Sequence, residues 1–160
     1  MANIGLNGAT LNQVVAVDHI NIQKYEQVGT GGGECLARDE FGNCLYYAPT
    51  YPLEEWVDAK TDAKVDGTVK ATVNKVFIQG KNAILNGDKT EEKDTYVLES
   101  NERYVSGQHT NAQGTVTTGN SRNVFIGGKQ VSTQPITVNT HVSGLTTTVK
   151  DGWATKVFIG

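Results

Sequence analysis

One short phrase occurs three times in this chain. Val76-Phe77-Ile78-Gln79-Gly80 returns as Val124-Phe125-Ile126-Gly127-Gly128, and again as Val157-Phe158-Ile159-Gly160 at the end of the sequence. Each copy follows a basic or polar residue: Lys75, Asn123 (itself after Arg122) and Lys156. The first two copies also continue alike, as Lys81-Asn82-Ala83-Ile84 and Lys129-Gln130-Val131. An internal repeat decides architecture before local propensity does. Three copies in one polypeptide predict a body with approximate threefold symmetry, able to sit on a true trimer because its three faces would match three equivalent chains. The starts of successive copies are 48 and 33 residues apart. A stacked solenoid needs a near-constant period, so unequal spacing favours three arms around an axis, with insertions carried in surface loops.

The rest of the chain reads as strands and turns. Hydrophobic residues make up 38% of the 160 residues, with 18 glycines and one methionine. Thr, Val, Asn and Gly dominate, which is a β-sheet and turn vocabulary. The length suits one domain over 1–160. The expectation is an all-β fold of short strands and hairpins, with one insertion over 20–65. Val14, Val15, Val17, Ile20 and Ile22 form an N-terminal strand, and Gly29–Gly33 a flexible loop. Cys35 and Cys44 flank a hairpin that turns at Gly42. Leu53–Lys60, after Pro52, reads as a short helix. Residues 89–105 are charged and polar and read as a solvated excursion. Gly67-Thr68-Val69, Gly114–Gly119 and Gly144–Val149 lead into the three repeated phrases, with Asp151-Gly152 as a turn before the last.

Several classes are excluded or disfavoured. The formal net charge of −3 leaves no basic footprint for nucleic acid. No apolar run approaches the ~18 residues of a membrane span. Met1-Ala2-Asn3-Ile4-Gly5 lacks the charged start and apolar stretch of a secretory signal, so synthesis in a cytoplasm is expected. In that compartment, free thiols or metal ligation at Cys35 and Cys44 are favoured over a structural bridge.

The chain has three histidines, and two keep step with the repeat: His109 lies 15 residues before Val124, and His141 lies 16 before Val157. Equivalent positions in a pseudo-threefold body converge on its axis. The matching place in the first unit, near Lys60-Thr61-Asp62, has no histidine, and His19 could fill that role across the insertion. Cys35 or Cys44 would complete a four-coordinate site. Three imidazoles and a thiolate suit one structural metal ion, zinc first and iron second.

Lys75–Asp88, with its Val-Phe-Ile-Gln-Gly-Lys-Asn-Ala-Ile-Leu-Asn-Gly-Asp run, resembles the central motif of PAAR-repeat proteins, and Lys156–Gly160 looks like the phrase with which many of them end. The resemblance covers 67–88 and 107–160. In place of the family's Pro-Ala-Ala-Arg segment stand Asn82-Ala83-Ile84-Leu85 and Gln130-Val131-Ser132-Thr133. The resemblance implies a small cone holding a metal through three histidines and a cysteine. Such cones cap the trimeric β-helical spike of a contractile injection machine, in type VI secretion systems and T4-like phage baseplates. His109 falls in the family's middle histidine region, His141 where a cysteine is commoner, and His19, after Asp18, near its early histidine. The implied partners are the spike trimer, as one monomer on a homotrimer, and the target membrane on piercing. The implied location is a virion baseplate tip or a secreted type VI tip. Val76, Phe77, Ile78, Val124, Phe125, Ile126, Val157, Phe158 and Ile159 would meet the spike.

Two other readings stand beside this one. Tyr46, Tyr47, Tyr51 and Trp56 could form the platform of a carbohydrate- or receptor-binding module. A three-histidine metal site could activate water. However, no carboxylate apart from Asp18 adjoins a histidine, and neither a phosphate loop nor a serine elbow is present, so no enzyme activity is expected.

Overall fold

The structure is a computed structural model and describes residues 1–118 and 123–160. Gly119 and Arg122, named in the repeat above, lie outside the described residues. The described residues form strands, turns and loops with no helix, so the fold is all-β. Two compact units are present: Met1–His19, Asp62–Tyr96 and Gly107–Gly160 form the first, and Ile20–Thr61 with Val97–Ser106 form the second.

In the first unit the repeated phrases make three equivalent two-stranded ribbons. Strand β6 (Phe77–Ile78) pairs with β7 (Lys81–Asn82), and β11 (Phe125–Ile126) with β12 (Lys129–Gln130). The third copy, in β15 (Trp153–Ile159), pairs with β1 (Ala2–Gly5) from the other end of the sequence. The register is the same each time: Phe77 faces Asn82, Phe125 faces Gln130 and Phe158 faces Asn3.

The segments leaving these ribbons interlock in a closed cycle. The Ile84 amide donates to the Gly5 carbonyl (2.8 Å), Ser132 to Ile84 (2.8 Å) and Gly5 to Ser132 (3.2 Å). A second cycle runs through Asn7 to Asn82, Asn86 to Gln130 and Gln134 to Asn3, each at 2.9 Å. Bridges between Leu6 and Ala83, Leu85 and Val131, and Thr133 and Ile4 complete it. Bonds of one kind, running in one direction from each segment to the next, define an approximate threefold axis within one chain. Farther along, the amides of Val69, Val116 and Val149 donate to Ala9, Asp88 and Ile136 in the same pattern.

Two apolar clusters surround this axis. Ile4, Leu6, Ala83, Leu85, Val131 and Ala154 form one, against which Ile78, Val124, Ile126 and Ile159 pack. Leu11, Val69, Ile84, Val116, Ile136, Val138 and Val149 lie in the other. Each fully buried aliphatic side chain contributes about 1.5–3 kcal/mol. An antiparallel sheet of β14 (Thr146–Thr148), β13 (Thr137–Asn139), β10 (Thr115–Val116), β8 (Lys89–Thr95) and β5 (Tyr51–Lys70), in that order, continues from the second cluster.

In the second unit, β2 (Val14–Gly31) pairs from Asn21 to Lys24 with β9 (Glu102–Ser106). Trp56 lies between Tyr25 (5.3 Å between ring centroids) and the Arg103 guanidinium (4.2 Å). The hairpin of β3 (Cys35–Arg38) and β4 (Cys44–Tyr47) turns at Gly42, with Asp39 accepting the Phe41 and Asn43 amides (2.9 and 2.8 Å).

Three expectations are corrected here. Leu53–Lys60 is not a helix but part of β5. From Val57 to Val65 the less exposed residues are Val57, Ala59, Thr61, Ala63 and Val65, with charged residues between them. That strict alternation has the two-residue period of a strand, which tertiary pairing enforces over weak helix propensity. Gly29–Gly31 lies within β2 rather than in a loop. Residues 89–105, read as a solvated excursion, supply β8 and β9.

Gly152 tests the closure of the third ribbon. Its carbonyl accepts the Leu6 amide (2.9 Å), its φ is +89°, and a Cβ there would lie 2.5 Å from the Ala9 Cα. Gly152→Ala therefore meets backbone as well as left-handed strain, and should cost about 2 kcal/mol or more. Gly8, at φ +84° with nothing near its Cβ position, should cost only about 1 kcal/mol on the same change. Urea-unfolding midpoints of the two variants check the difference.

Candidate metal centre

Strand β8 carries the first unit from its apolar interior to its polar one. Asp88, just before it, and Thr90, Glu92 and Asp94 within it are buried, while Lys89, Glu91, Lys93 and Thr95 are exposed. A carboxylate buried without partners is costly, and Asp88, Glu92 and Asp94 each accept at least two hydrogen bonds. Asp88 accepts the Leu85 amide (2.8 Å) and the Thr72 hydroxyl (2.5 Å). Glu92 accepts the Thr90 hydroxyl (2.5 Å).

Asp94 ends this row among the chain's three histidines. His19 comes from β2, His109 from the loop before β10, and His141 from the residues after β13. The ring centroids lie 5.5 Å apart for His19 and His109, 5.6 Å for His19 and His141, and 5.0 Å for His109 and His141. Asp94 Oδ2 is 3.2 Å from His19 Nε2 and 3.0 Å from His109 Nδ1, and it accepts the His109 amide at 2.9 Å. Asp94 Oδ1 is 3.1 Å from His141 Nε2. One ligand atom from each of the four residues lies within 4.8 Å of the others. Burial pushes the Asp94 carboxyl up, but the hydrogen bonds from the His109 amide and ring and the neighbouring His141 and His19 outweigh it, holding the group below its ordinary value.

These four side chains could hold a metal ion. Among the described residues, Asp94 Oδ1 and His141 Nε2 are the buried side-chain polar atoms without a hydrogen-bond partner. Orphaned buried donors and acceptors are rare. An imidazole nitrogen and a carboxylate oxygen that converge without a well-directed hydrogen bond fit a cation between them. Three nitrogens and one oxygen make a complete four-coordinate donor set, as in closed structural sites.

Local structure anchors the backbone beside two of the rings. Asp18 has φ +53°, unusual for a residue other than glycine, and its amide donates to Asp62 Oδ1 (3.0 Å). Asp62, at the place in the first repeat where a histidine is missing, thus holds the bend beside His19. The Asp94 amide in turn donates to the His109 carbonyl (2.8 Å), clamping that loop to β8.

His19, His109 and His141 are therefore brought together, and the cysteines are not. Cys35 and Cys44 are bonded to each other across the β3–β4 hairpin, which removes the thiolate expected as fourth ligand and free thiols as well. The register sets Cys35 opposite Tyr47 and Cys44 opposite Arg38, with irregularities between them, and the two cysteine Cα atoms come within 5.7 Å across the hairpin, inside bonding reach. Asp94 stands in the fourth position instead. Sequence reading missed it because 89–95 looked uniformly charged. The signal was the alternation Lys89-Thr90-Glu91-Glu92-Lys93-Asp94-Thr95, whose lysines all fall on one face.

The nine residues of the repeated phrases divide by depth. Ile78, Val124, Ile126 and Ile159 are partly buried against the apolar cluster. Phe77, Phe125 and Phe158 are 62%, 58% and 45% exposed, and Val76 and Val157 are exposed beside them.

No family, characterised protein or solved structure matches this chain.

Purified protein should contain about one divalent metal ion per chain. His141→Ala should lose most of it, whereas the Cys35→Ser/Cys44→Ser double variant should keep it. Elemental analysis of the three proteins checks this.

Proposed function

We propose that this chain is a structural tip that caps a trimeric β-helical spike of a contractile injection machine, as the resemblance to PAAR-repeat proteins implies. The observation that carries the reading is the placement of Phe77, Phe125 and Phe158. They occupy one register position in three ribbons that the closed hydrogen-bond cycles relate by rotation, and all three rings are exposed. A surface that repeats an apolar contact three times about an axis suits a partner built from three identical chains. Exposed apolar groups arranged in this way mark interaction sites more often than isolated ones do.

The metal completes this reading. We take it to be zinc, with iron second, held by His19, His109, His141 and Asp94. A structural zinc can supply on the order of 10 kcal/mol of folding free energy, which would stiffen a polar interior that aliphatic packing does not reach. The tip would serve on a phage baseplate or a secreted type VI apparatus, meeting the target membrane as the machine fires.

A second reading has one observation in its favour. Tyr46, Tyr47 and Tyr51 of the second unit are all more than half exposed, as flat platforms for sugar rings would be. A glycan array separates the readings: binding lost on Tyr46→Ala or Tyr47→Ala would support the carbohydrate module.

For the spike reading, Phe125→Asp should weaken co-purification with a trimeric β-helical spike by at least about tenfold, the cost of burying a charge at an apolar contact. Metal content and thermal unfolding should stay unchanged, because the ring is exposed in the free protein. Undiminished co-purification would remove the docking role.

A further inference from the structure

Beside the four candidate ligands lies a fifth side chain that is hydrogen-bonded to one of them. Glu92 is fully buried. Its Oε2 accepts two hydrogen bonds from one residue, His141: the backbone amide at 2.8 Å and ring Nδ1 at 2.7 Å. Its Oε1 accepts the Thr90 hydroxyl at 2.5 Å, and that hydroxyl accepts the Gly114 amide at 2.7 Å. The relay therefore runs from the Gly114 backbone through Thr90 and Glu92 to His141. The strand backbone around Glu92 is anchored too, by paired bonds with Ala112 (2.8 and 2.9 Å).

We propose that Glu92 is a positioning residue for the metal centre, holding His141 so that Nε2 presents its lone pair to the ion. The claim rests on the reading of His19, Asp94, His109 and His141 as ligands. An imidazole that donates from Nδ1 carries its lone pair on Nε2, and His141 Nε2 is the ring nitrogen left without a hydrogen-bond partner beside Asp94. The two bonds to Oε2 fix both the backbone and the ring of His141, so tautomer and rotation are set together. A ligand's second nitrogen held by a carboxylate also makes the first more basic.

Gly114 fits the same design. A Cβ there would lie 2.2 Å from Glu92 Oε1, 2.5 Å from the Asn139 carbonyl and 2.7 Å from Thr90 Oγ1. The absence of a side chain leaves room for the relay, so glycine at 114 serves the centre from outside the ligand set.

The test titrates the full-length apoprotein with Zn(II) against a competing chelator, and records the visible spectrum of the Co(II) form. Glu92→Ala should lower Zn(II) affinity by about 10–100-fold and alter the Co(II) bands, while Glu92→Gln, which keeps an acceptor for His141, should restore most of both. In a His141→Ala background, Glu92→Ala should cause no further loss, since its effect passes through His141. If Glu92→Ala does not fold, Thr90→Val, nearly its parent's shape, decides instead, with a smaller loss in the same direction. Unchanged affinity and spectrum in a wild-type protein that does bind metal would overturn the positioning role and leave the metal centre standing. Additive losses with His141→Ala would overturn it as well. Failure of the wild-type chain to bind either metal would end both claims.

Discussion

The interaction on which the first unit depends is the cycle of backbone hydrogen bonds through Gly5, Ile84 and Ser132. It joins the beginning, middle and end of the sequence, and it cannot close unless all three ribbons are in register. A homotrimer built on the same plan would have to place one residue type at all three positions around its axis. A single chain is free of that requirement. It uses a large, a small and an absent side chain at equivalent positions, and Ile136 and Ile84 fill space that glycine at 5 leaves open: a Cβ on Gly5 would lie 2.4 Å from the Ile136 Cδ1 and 2.9 Å from the Ile84 Cδ1.

The same freedom governs the polar interior. His109 and His141 precede Val116 and Val149 by seven and eight residues, while the corresponding place before Val69 is Asp62. The third imidazole comes from β2, and the fourth donor from the inward face of β8. The centre is thus only loosely threefold. It follows the apolar clusters where inward side chains change from Ile, Leu and Val to Asp, Thr and Glu, and hydrogen bonds take over from dispersion in holding the elements together. That exchange is costly unless every buried carboxylate is satisfied, which accounts for the density of polar contacts around Asp88, Glu92 and Asp94.

The sequence revealed its architecture where repetition was explicit. The Val-Phe-Ile phrases announced three ribbons, and the spacing of His109 and His141 announced that they meet. The third ribbon's second strand was hidden because it lies at the opposite end of the chain, although Leu6-Asn7-Gly8 repeats Leu85-Asn86-Gly87. Asp94 was hidden because a buried acidic residue and a solvated one look alike until strand alternation assigns them faces. Cys35 and Cys44 were misread from the compartment expected for the chain, a weaker constraint than the closeness that an irregular hairpin imposes on its two strands. The long alternation from Val57 to Val65 was present to be read, but a helix-compatible stretch beginning after Pro52 masked it.

We propose that one polypeptide imitates a trimer in order to cap one. Native mass spectrometry of the chain mixed with a trimeric β-helical spike tests it most directly. A complex containing a single copy of this chain on each spike trimer is the expected result. Binding of one copy to each spike chain, or no complex at concentrations that saturate specific interfaces, would contradict it.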